Sequence, residues 1–435
     1  MGGMGQRVTT FLRRAVDLRE GETRALVLAF LYFFFLLGGY TMLRPLRDEM
    51  GVASGVANLQ YLFTATFFVM LLAVPAFGAL VSRWARSKIV PSVYRFFIAS
   101  ILLFYLLFTF TDATIWTARV FYVWVSVLNL FVVSVFWSLM NDLFVPGQAK
   151  RLFPVIAAGG TAGALAGPLA AANLAGPLGP TSLLLLAAGA LEIAVWCVYG
   201  LLREKGGTGV QKAQEPVGGG IFDGLTLVFR SPYLMGVALF FLLMTSAATF
   251  LYFIQAHFIR DLFPTSAERT AAFAWLDFFA NVATVMLQLF VTGRLLRRFG
   301  LGFGLAVLPI VVAGAFAALA LAPVFAMLAA IQVLRRAAQY AVSRPAREAL
   351  FTPLSAKEKY KAKNFIDTAV YRGGDAGSGW AFAGLRGAGL DFASIALVMV
   401  PVAGLWAGLA FVLGRRRERL AEAPPEDAIA LQEIP

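Results

Sequence analysis

Long apolar runs separated by short charged breaks dominate this chain of 435 residues. A helix that crosses a bilayer needs about 20 predominantly apolar residues in succession. Twelve such runs can be marked, covering 25–43, 58–81, 92–111, 118–141, 153–176 and 182–202 in the first half and 233–256, 270–293, 301–321, 323–345, 364–387 and 392–413 in the second. The sequence therefore predicts an all-α membrane protein with twelve transmembrane helices.

The composition excludes an ordinary soluble chain. Hydrophobic residues make up 60% of the sequence and charged residues only 14%, whereas soluble domains carry about 25% charged residues. Soluble enzymes, nucleic-acid-binding domains and disulfide-rich secreted modules are excluded by this balance. One cysteine and one histidine allow neither an intrachain disulfide nor a histidine-based zinc site. We predict no catalytic residue, no metal and no cofactor.

Lys and Arg residues collect in alternate loops between the runs. One side holds the clusters at 83–88, 294–298 and 357–363, whereas the other side holds chiefly Arg260 and Arg269. An excess of basic residues marks cytoplasmic loops, so both termini are predicted to lie in the cytoplasm. The basic loops are expected to contact anionic membrane lipid, which explains the net charge of +13 without nucleic acid as a partner.

A Gly-rich, charged stretch between the sixth and seventh runs predicts a flexible cytoplasmic linker. The predicted division is a cytoplasmic N-terminal segment at 1–24, a six-helix bundle at 25–202, a linker at 203–232, a second six-helix bundle at 233–414 and a cytoplasmic tail at 415–435.

Three short motifs occur in both halves in the same order, which indicates an internal repeat. They are LRD at 46–48 with IRD at 259–261, LFVPGQAK at 143–150 with LFTPLSAK at 350–357, and GGTAG at 159–163 with GGDAG at 373–377. Two parallel repeats of six spans are typical of the major facilitator arrangement, which places the substrate site near the midplane between the halves.

Polar side chains inside the runs are the candidate functional residues, because an ionisable group in a span costs roughly 2.5–3.5 kcal/mol on insertion scales and usually faces a water-filled cavity. In the first span, Tyr40, Arg44 and Arg47 share one helical face. Asp48 follows Arg44 by four residues and can partly neutralise it, and Pro45 is expected to bend or end the helix. The alternative is that both arginines snorkel to the outer surface.

The tenth span carries the longest polar stripe. Gln332, Arg336, Gln339 and Ser343 follow i, i+4, i+7, i+11 spacing, and Arg335 lies on the flank. Both arginines fall near the middle of an apolar run, where neither can face lipid without a strong penalty. We predict that this stripe lines a cavity; the alternatives are a misplaced span boundary or an Arg–carboxylate bridge between helices.

The remaining candidates lie on four other spans and are Asn129, Tyr252, Asp277, Asn281, Asp367 and Arg372. Asp277 stands out because an ionised carboxylate in a span needs a partner or water. Arg372 is spaced to pair with Asp375 at i, i+3, which fits a structural role as well as a functional one. The glycine-rich segment of the fifth span lacks the Lys-Ser/Thr of a phosphate-binding loop and is expected to pack two helices closely.

Three segments resemble the ATP/ADP translocase family of nucleotide transporters, which is found in plastids and intracellular bacteria. FWSLMNDLFVPGQAKRLFPVIAAGGTAG at 136–163 is similar to the end of that family's fourth span and the loop that follows. YTMLRPLRDEM at 40–50 resembles its first-span motif, with Arg47 in the position of a functionally important lysine. KNFID at 363–367 resembles its eleventh-span region. The resemblance implies a major facilitator-like fold and transport of nucleotides.

The sequence departs from the family in two places. No acidic residue occurs between Val120 and Met140, where the family's exchangers carry a glutamate, and Arg47 keeps the charge of the family's lysine but changes its geometry and hydration. This pattern is more similar to divergent members from free-living bacteria. We therefore expect a monomeric multi-pass protein of the bacterial inner (plasma) membrane.

Three functional hypotheses follow. The first is exchange of nucleotides or related phosphorylated organic anions by alternating access, with an arginine-lined central cavity that binds phosphate through forked hydrogen bonds. The proposed arginines are Arg44, Arg47, Arg335 and Arg336. Tyr40 or Tyr252 would stack on the base, and its edge would be recognised by Asn129, Asn281 or Asp277. The second is a proton-coupled major facilitator carrier of another organic anion, with Asp277, Asp367 or Glu192 titrating. The third is a membrane receptor or partner-binding subunit without transport, which the lack of a sizeable soluble domain disfavours.

Overall fold

The computed structural model describes residues 18–19, 21–83, 86–111, 115–204 and 221–422. Most of the predicted segments at 1–24, 203–232 and 415–435 therefore lies outside the described residues. Throughout the described part of the chain the structure is helical and contains no β-strand. The predicted all-α class is confirmed.

Six helices occupy the first predicted half. They are α1 (Glu22–Ala53), α2 (Leu59–Arg83), α3 (Arg86–Phe110), α4 (Ile115–Leu143), α5 (Pro146–Leu174) and α6 (Ser182–Glu204), with a single 3₁₀ turn at Val56–Asn58 before α2. Pro146 stands at the start of α5, where its missing N–H is not needed for an intrahelical bond.

The second predicted half begins with a short helix and continues through longer ones. They are α7 (Ile221–Arg230), α8 (Pro232–Leu262), α9 (Ser266–Leu287), α10 (Gly293–Leu321), α11 (Phe325–Ala338), α12 (Arg344–Ala349), α13 (Ala356–Phe365), α14 (Tyr371–Gly387) and α15 (Phe392–Glu422). Ser355 of the repeated LFTPLSAK motif begins α13 through a capping box with Glu358.

The first helix is longer than the sequence predicts. The first apolar run ends at residue 43, yet α1 passes through Pro45 and continues to Ala53, so Pro45 does not end the helix. An interior proline removes one hydrogen bond and its ring clashes with the carbonyl of residue i−4, but packing against neighbouring helices can stabilise a span around such a break. Arg44 and Arg47 consequently lie nine and six residues before the end of α1.

Nine helical segments of the described residues are long and apolar enough to cross a membrane. One of them, Ser266–Leu321, contains the eighth and ninth predicted spans, and Gly300 interrupts its helical backbone between the two with a φ of 76°. The tenth and eleventh predicted spans, formed by α11–α12 and α13–α14, are more polar and broken by π-helical turns. A multi-pass membrane protein is confirmed, and the number twelve remains a prediction.

The helices form two compact units. Unit 1 takes in the described residues of Met1–Ser54, Ala73–Gln214 and Pro264–Phe278, and unit 2 takes in those of Gly55–Leu72, Glu215–Phe263 and Phe279–Pro435. Each unit thus includes a short segment from the other predicted half of the sequence. The predicted boundaries at 25–202 and 233–414 stay a prediction.

In unit 1, α1 is the central helix and packs on α4, α5 and α6. The glycine-rich face of α5 meets α1 so closely that a Cβ on Gly163 would lie 2.2 Å from the Phe34 carbonyl oxygen, and one on Gly159 would lie 2.5 Å from that of Phe30. Such contacts leave no room for a side chain. The prediction that this segment packs two helices is confirmed.

In unit 2, glycines bring two further helix pairs together. A Cβ on Gly414 of α15 would lie 2.3 Å from the Cα of Gly302 on α10, and one on Gly374 of α14 would lie 2.4 Å from the Thr245 hydroxyl on α8. Gly374 belongs to GGDAG, the counterpart of GGTAG. Both copies of the repeat thus supply a glycine to a close helix contact in their own units, against backbone in α5 and against a side chain in α14.

Candidate functional site

The arginines of the first predicted stripe are held by carboxylates in unit 1. Nη2 and Nε of Arg47 donate to Oδ1 of Asp48 at 2.6 and 3.0 Å, and the guanidinium lies 4.7 Å from the ring centre of Tyr122. Nε of Arg44 lies 3.5 Å from Oδ2 of Asp277. The short bond of Asp48 is thus made to its neighbour Arg47, whereas the sequence paired it with Arg44.

A second ion pair of unit 1 was not predicted. Glu49 of α1 is fully buried and accepts two hydrogen bonds from Arg269 of α9, at 2.6 Å from Nε and 2.9 Å from Nη2. A third bond of 2.8 Å runs from Nη1 of Arg269 to the carbonyl oxygen of Pro264. The two residues are 220 positions apart in the chain, so no local spacing could reveal the pair.

These contacts balance the formal charge of the unit 1 cluster. Three arginines at 44, 47 and 269 meet three carboxylates at 48, 49 and 277. Tyr40 is buried on the same helix, and Asn129 is half-buried in α4. An anion that binds Arg44 or Arg47 must therefore compete with a carboxylate of the protein.

The arginine of the tenth predicted span has different partners in unit 2. Arg335 donates from Nε and Nη2 to Oε1 of Gln332 at 3.1 and 3.0 Å, and from Nη1 to Oε1 of Gln339 at 2.9 Å. Nε2 of Gln332 in turn donates to Oε1 of Gln255 on α8 at 2.6 Å. Gln255 was not among the sequence candidates. An amide oxygen accepts a hydrogen bond without cancelling the charge of the donor.

The predicted stripe is present, but it is arranged differently. Arg335, expected on the flank, lies between Gln332 and Gln339 and bonds both. A π-helical turn at Gln339–Ser343 adds a residue to the turn and shifts the register that the regular spacing assumed. Arg335 and Arg336 are each only 8% exposed, so both charges are buried in the helical bundle of unit 2.

The candidates of α13 and α14 surround another π-helical turn, at Ile366–Val370. Asp367 lies in this turn and is exposed. Nη1 of Arg372 lies 3.5 Å from Oδ2 of Asp375, which confirms the predicted pair. The hydroxyl of Thr249 donates to Oδ1 of the same aspartate at 3.1 Å.

Tyr252 and Asn281 are the two remaining candidates of unit 2. The Tyr252 ring packs 5.6 Å from that of Phe63, and Asn281 is half-buried in α9. α9 ends in a third π-helical turn, at Gln288–Thr292. All three π-helical turns of the described residues thus lie in the second predicted half, and the one at Gln339–Ser343 falls on the polar stripe of the tenth span; such turns often mark functional sites.

One further arginine escaped the sequence analysis because it follows the tenth predicted span. Arg347 of α12 lies with its guanidinium 4.9 Å from the ring centre of Phe241 and its Nη1 3.1 Å from Sδ of Met244, both on α8.

Among the described residues, no group of three or more His, Cys, Asp or Glu side chains is placed to hold a metal ion.

The sequence is similar to known nucleotide carriers. The model of the TLC ATP/ADP transporter family matches residues 208–407. ADP,ATP carrier protein 1 of Chlamydia trachomatis is 24% identical, over 82% of this chain and 81% of that protein. The protein of the same name from Chlamydia muridarum is 22% identical, over 82% and 80%.

Solved transporter structures share the fold at low sequence identity. A bacterial homologue of the iron transporter ferroportin matches with a TM-score of 0.61 over 93% of this chain and 99% of that one. A bacterial homologue of the lysosomal transporter Spinster gives 0.60 over 94% and 100%, and the nucleoside transporter NupG gives 0.58 over 93% and 100%. Each is 15% identical to this chain.

Proposed function

We propose that this chain, which belongs to the family of ATP/ADP translocase-type transporters, exchanges nucleotides or related phosphorylated organic anions across the membrane by alternating access. The relatives and the structural neighbours are transporters, and the chemistry required is binding and release without a covalent step. The proposal extends family membership to the substrate and to the residues that bind it.

The buried Arg335 network carries the proposal. A charged side chain inside a span is costly and is kept where it serves a function. Gln332 and Gln339 hold the guanidinium through amide oxygens, which fix its orientation while its positive charge persists. Arginine matches phosphate by a fork of parallel N–H donors. Arg335, with Arg336 beside it, is therefore the proposed phosphate-binding centre of unit 2.

The unit 1 cluster has a second role in the proposal. Phosphate at Arg44 or Arg47 would replace the carboxylates of Asp277 and Asp48 as the arginines' partner. The released Asp277 could then accept from the amino group of a base, with Tyr40 as an aromatic platform. A carrier whose arginines exchange one anionic partner for another changes conformation most readily when loaded, since a ligand shifts a conformational equilibrium only by its differential affinity for the two states.

Nucleotide binding by purified protein tests the proposal. A ligand that binds only the folded form raises its melting temperature, so ATP and ADP should stabilise the wild type. Arg336→Ala and Arg47→Ala should abolish this nucleotide effect while each variant remains folded. A useful control is Arg294→Ala, because Arg294 is exposed and donates to the Phe290 carbonyl of its own helix. Unchanged affinity in both test variants would reject the role of these arginines.

Proton-coupled transport of another organic anion is the second candidate, and one observation favours it. Asp367 is an exposed carboxylate in a π-helical turn of the eleventh predicted span. Uptake that collapses with an uncoupler, needs no internal anion and is lost in Asp367→Asn would support coupling to protons over exchange.

A further inference from the structure

Arg347 is a half-buried arginine that is held in an unusual way. Its contacts are the π face of Phe241 at 4.9 Å and the thioether sulfur of Met244 at 3.1 Å. Its Nε is buried and has no hydrogen-bond partner among the described residues. A guanidinium carries five N–H donors, and a thioether is a weak acceptor. The protein thus fixes the position of this cation while leaving donor capacity unused.

Other arginines of the predicted spans show the contrast. Carboxylate oxygens lie within 3.5 Å of Arg44, Arg47 and Arg372. Arg347 forms no ion pair with any described residue; Asp367 is the acidic side chain that attracts it, without a hydrogen bond between the two. A buried donor that stays unsatisfied costs free energy, so a missing acceptor is the simplest explanation of the geometry.

The surroundings favour an anion as that acceptor. The charged groups that act on Arg347 and on Asp367 are Arg344, Lys363 and Glu348. The basic groups at 344, 347 and 363 outnumber the acidic groups at 348 and 367 by one, so this cluster has a formal net charge of one positive unit. Stabilisation by the face of an aromatic ring consumes none of the guanidinium's hydrogen bonds, so the N–H groups remain available to oxygen atoms of a ligand.

We propose that Arg347 binds a phosphate group of the transported anion. It would form a second phosphate-binding site in unit 2, in addition to the site at Arg335 and Arg336. The inference rests on the proposed function and deepens it, because it assigns the substrate class to ligands with phosphate oxygens. Arg347 lies just beyond the tenth predicted span, at the end that the basic loops assign to the cytoplasm, and would meet the anion as it enters or leaves on that side.

Titration calorimetry on the purified full-length chain tests the assignment, with ATP, adenosine and pyrophosphate as probes. Arg347→Gln should weaken ATP and pyrophosphate binding about tenfold or more, since hydrogen bonds to charged groups are the strong ones. Any affinity for adenosine should not change, because adenosine has no phosphate. Arg294→Gln, at an exposed arginine that donates to a carbonyl of its own helix, should bind ATP as the wild type does. Wild-type ATP affinity in folded Arg347→Gln would overturn the inference.

Arg347→Lys decides the matter if the glutamine variant does not fold. Lysine keeps the charge but loses the fork, so ATP affinity should fall at an unchanged melting temperature; an unchanged affinity would overturn the inference. A wild type that binds no nucleotide would reject the proposed function, and pyrophosphate would then test Arg347 alone. Weaker pyrophosphate binding by Arg347→Lys than by the wild type supports the phosphate-binding site. Equal binding by the two proteins, or no pyrophosphate binding by the wild type, refutes it.

Discussion

Arg44 and Arg335 show two ways to keep a guanidinium inside a membrane protein. Arg44 is neutralised by Asp277, whereas Arg335 is oriented by the neutral amides of Gln332 and Gln339. The first arrangement lowers the local charge and the second preserves it. We therefore propose that the positive charge that attracts phosphate lies in unit 2, and that unit 1 contains ion pairs that the substrate can replace.

Replacing Gln332 by glutamate tests whether the charge matters. Gln332→Glu keeps an oxygen acceptor for Arg335 but pairs it with a carboxylate, so the positive field falls and the fold is retained. Nucleotide affinity should drop about tenfold or more, with little change in melting temperature. Gln332→Met serves as a comparison of similar size that removes the acceptor: it should lower the melting temperature, because a buried guanidinium loses its hydrogen bonds. Equal nucleotide affinities in Gln332→Glu and the wild type would argue against a role for the positive charge of Arg335.

The Glu49–Arg269 pair makes a prediction about stability. Removing one partner of a buried ion pair leaves the other charge uncompensated, at a cost of about 3–5 kcal/mol. Glu49→Gln should therefore lower the free energy of unfolding by about that amount, and adding Arg269→Gln should restore part of it. The exposed pair Arg260–Asp261 is the matched control, and Asp261→Asn should cost under about 1 kcal/mol. Similar losses at both pairs, measured by denaturant unfolding in detergent, would contradict the burial argument.

At the scale of elements, glycine contacts and π-helical turns decide what the helices can do. Glycines bring α5 against the backbone of α1, and α14 against side chains of α8. The π-helical turns of the second half, one of them within the polar stripe of the tenth span, rotate side chains off a regular helical face. Packing glycines thus hold the helices in place, while the turns determine which polar residues face one another.

Gly163→Ala tests the close packing of α5 on α1. The new Cβ would lie 2.2 Å from a backbone oxygen, so the helices must separate, at a cost of about 1–3 kcal/mol. Gly189→Ala in α6 is the control, because its Cβ would meet nothing within 4 Å and alanine favours a helix by about 1 kcal/mol. Thermal unfolding should show a loss for the first variant and no loss for the second; no loss for Gly163→Ala would contradict the contact.

Periodic features of the sequence proved the more predictable ones. Apolar runs predicted the helices, glycine spacing predicted the α1–α5 contact, and i, i+3 spacing predicted the pair of Arg372 and Asp375. Tertiary pairings such as Glu49 with Arg269 could not be predicted, because they join distant segments. The position of Arg335 between Gln332 and Gln339 was also missed, although i−3 and i+4 neighbours share a helical face, because spacing alone does not show to which neighbours a long side chain turns.

At the scale of the whole molecule, the chain is a multi-pass helical transporter whose two units each combine a packing repeat with a polar cluster. The clusters differ in their acceptors: carboxylates lie against the arginines at 44, 47 and 269, while amide oxygens accept from Arg335. Sequence repeats made the units similar in helix packing. Their different polar residues give them different parts in the proposed exchange cycle.

Measuring nucleotide exchange across a membrane tests the proposed transport function most directly. Purified protein in liposomes loaded with ADP should take up labelled ATP, and liposomes without internal nucleotide should take up little. Arg335→Gln should reduce the exchange about tenfold or more, while Arg294→Gln retains it. Equal uptake into loaded and empty liposomes, or a wild-type rate in Arg335→Gln, would contradict the claim that a buried arginine centre exchanges phosphorylated anions.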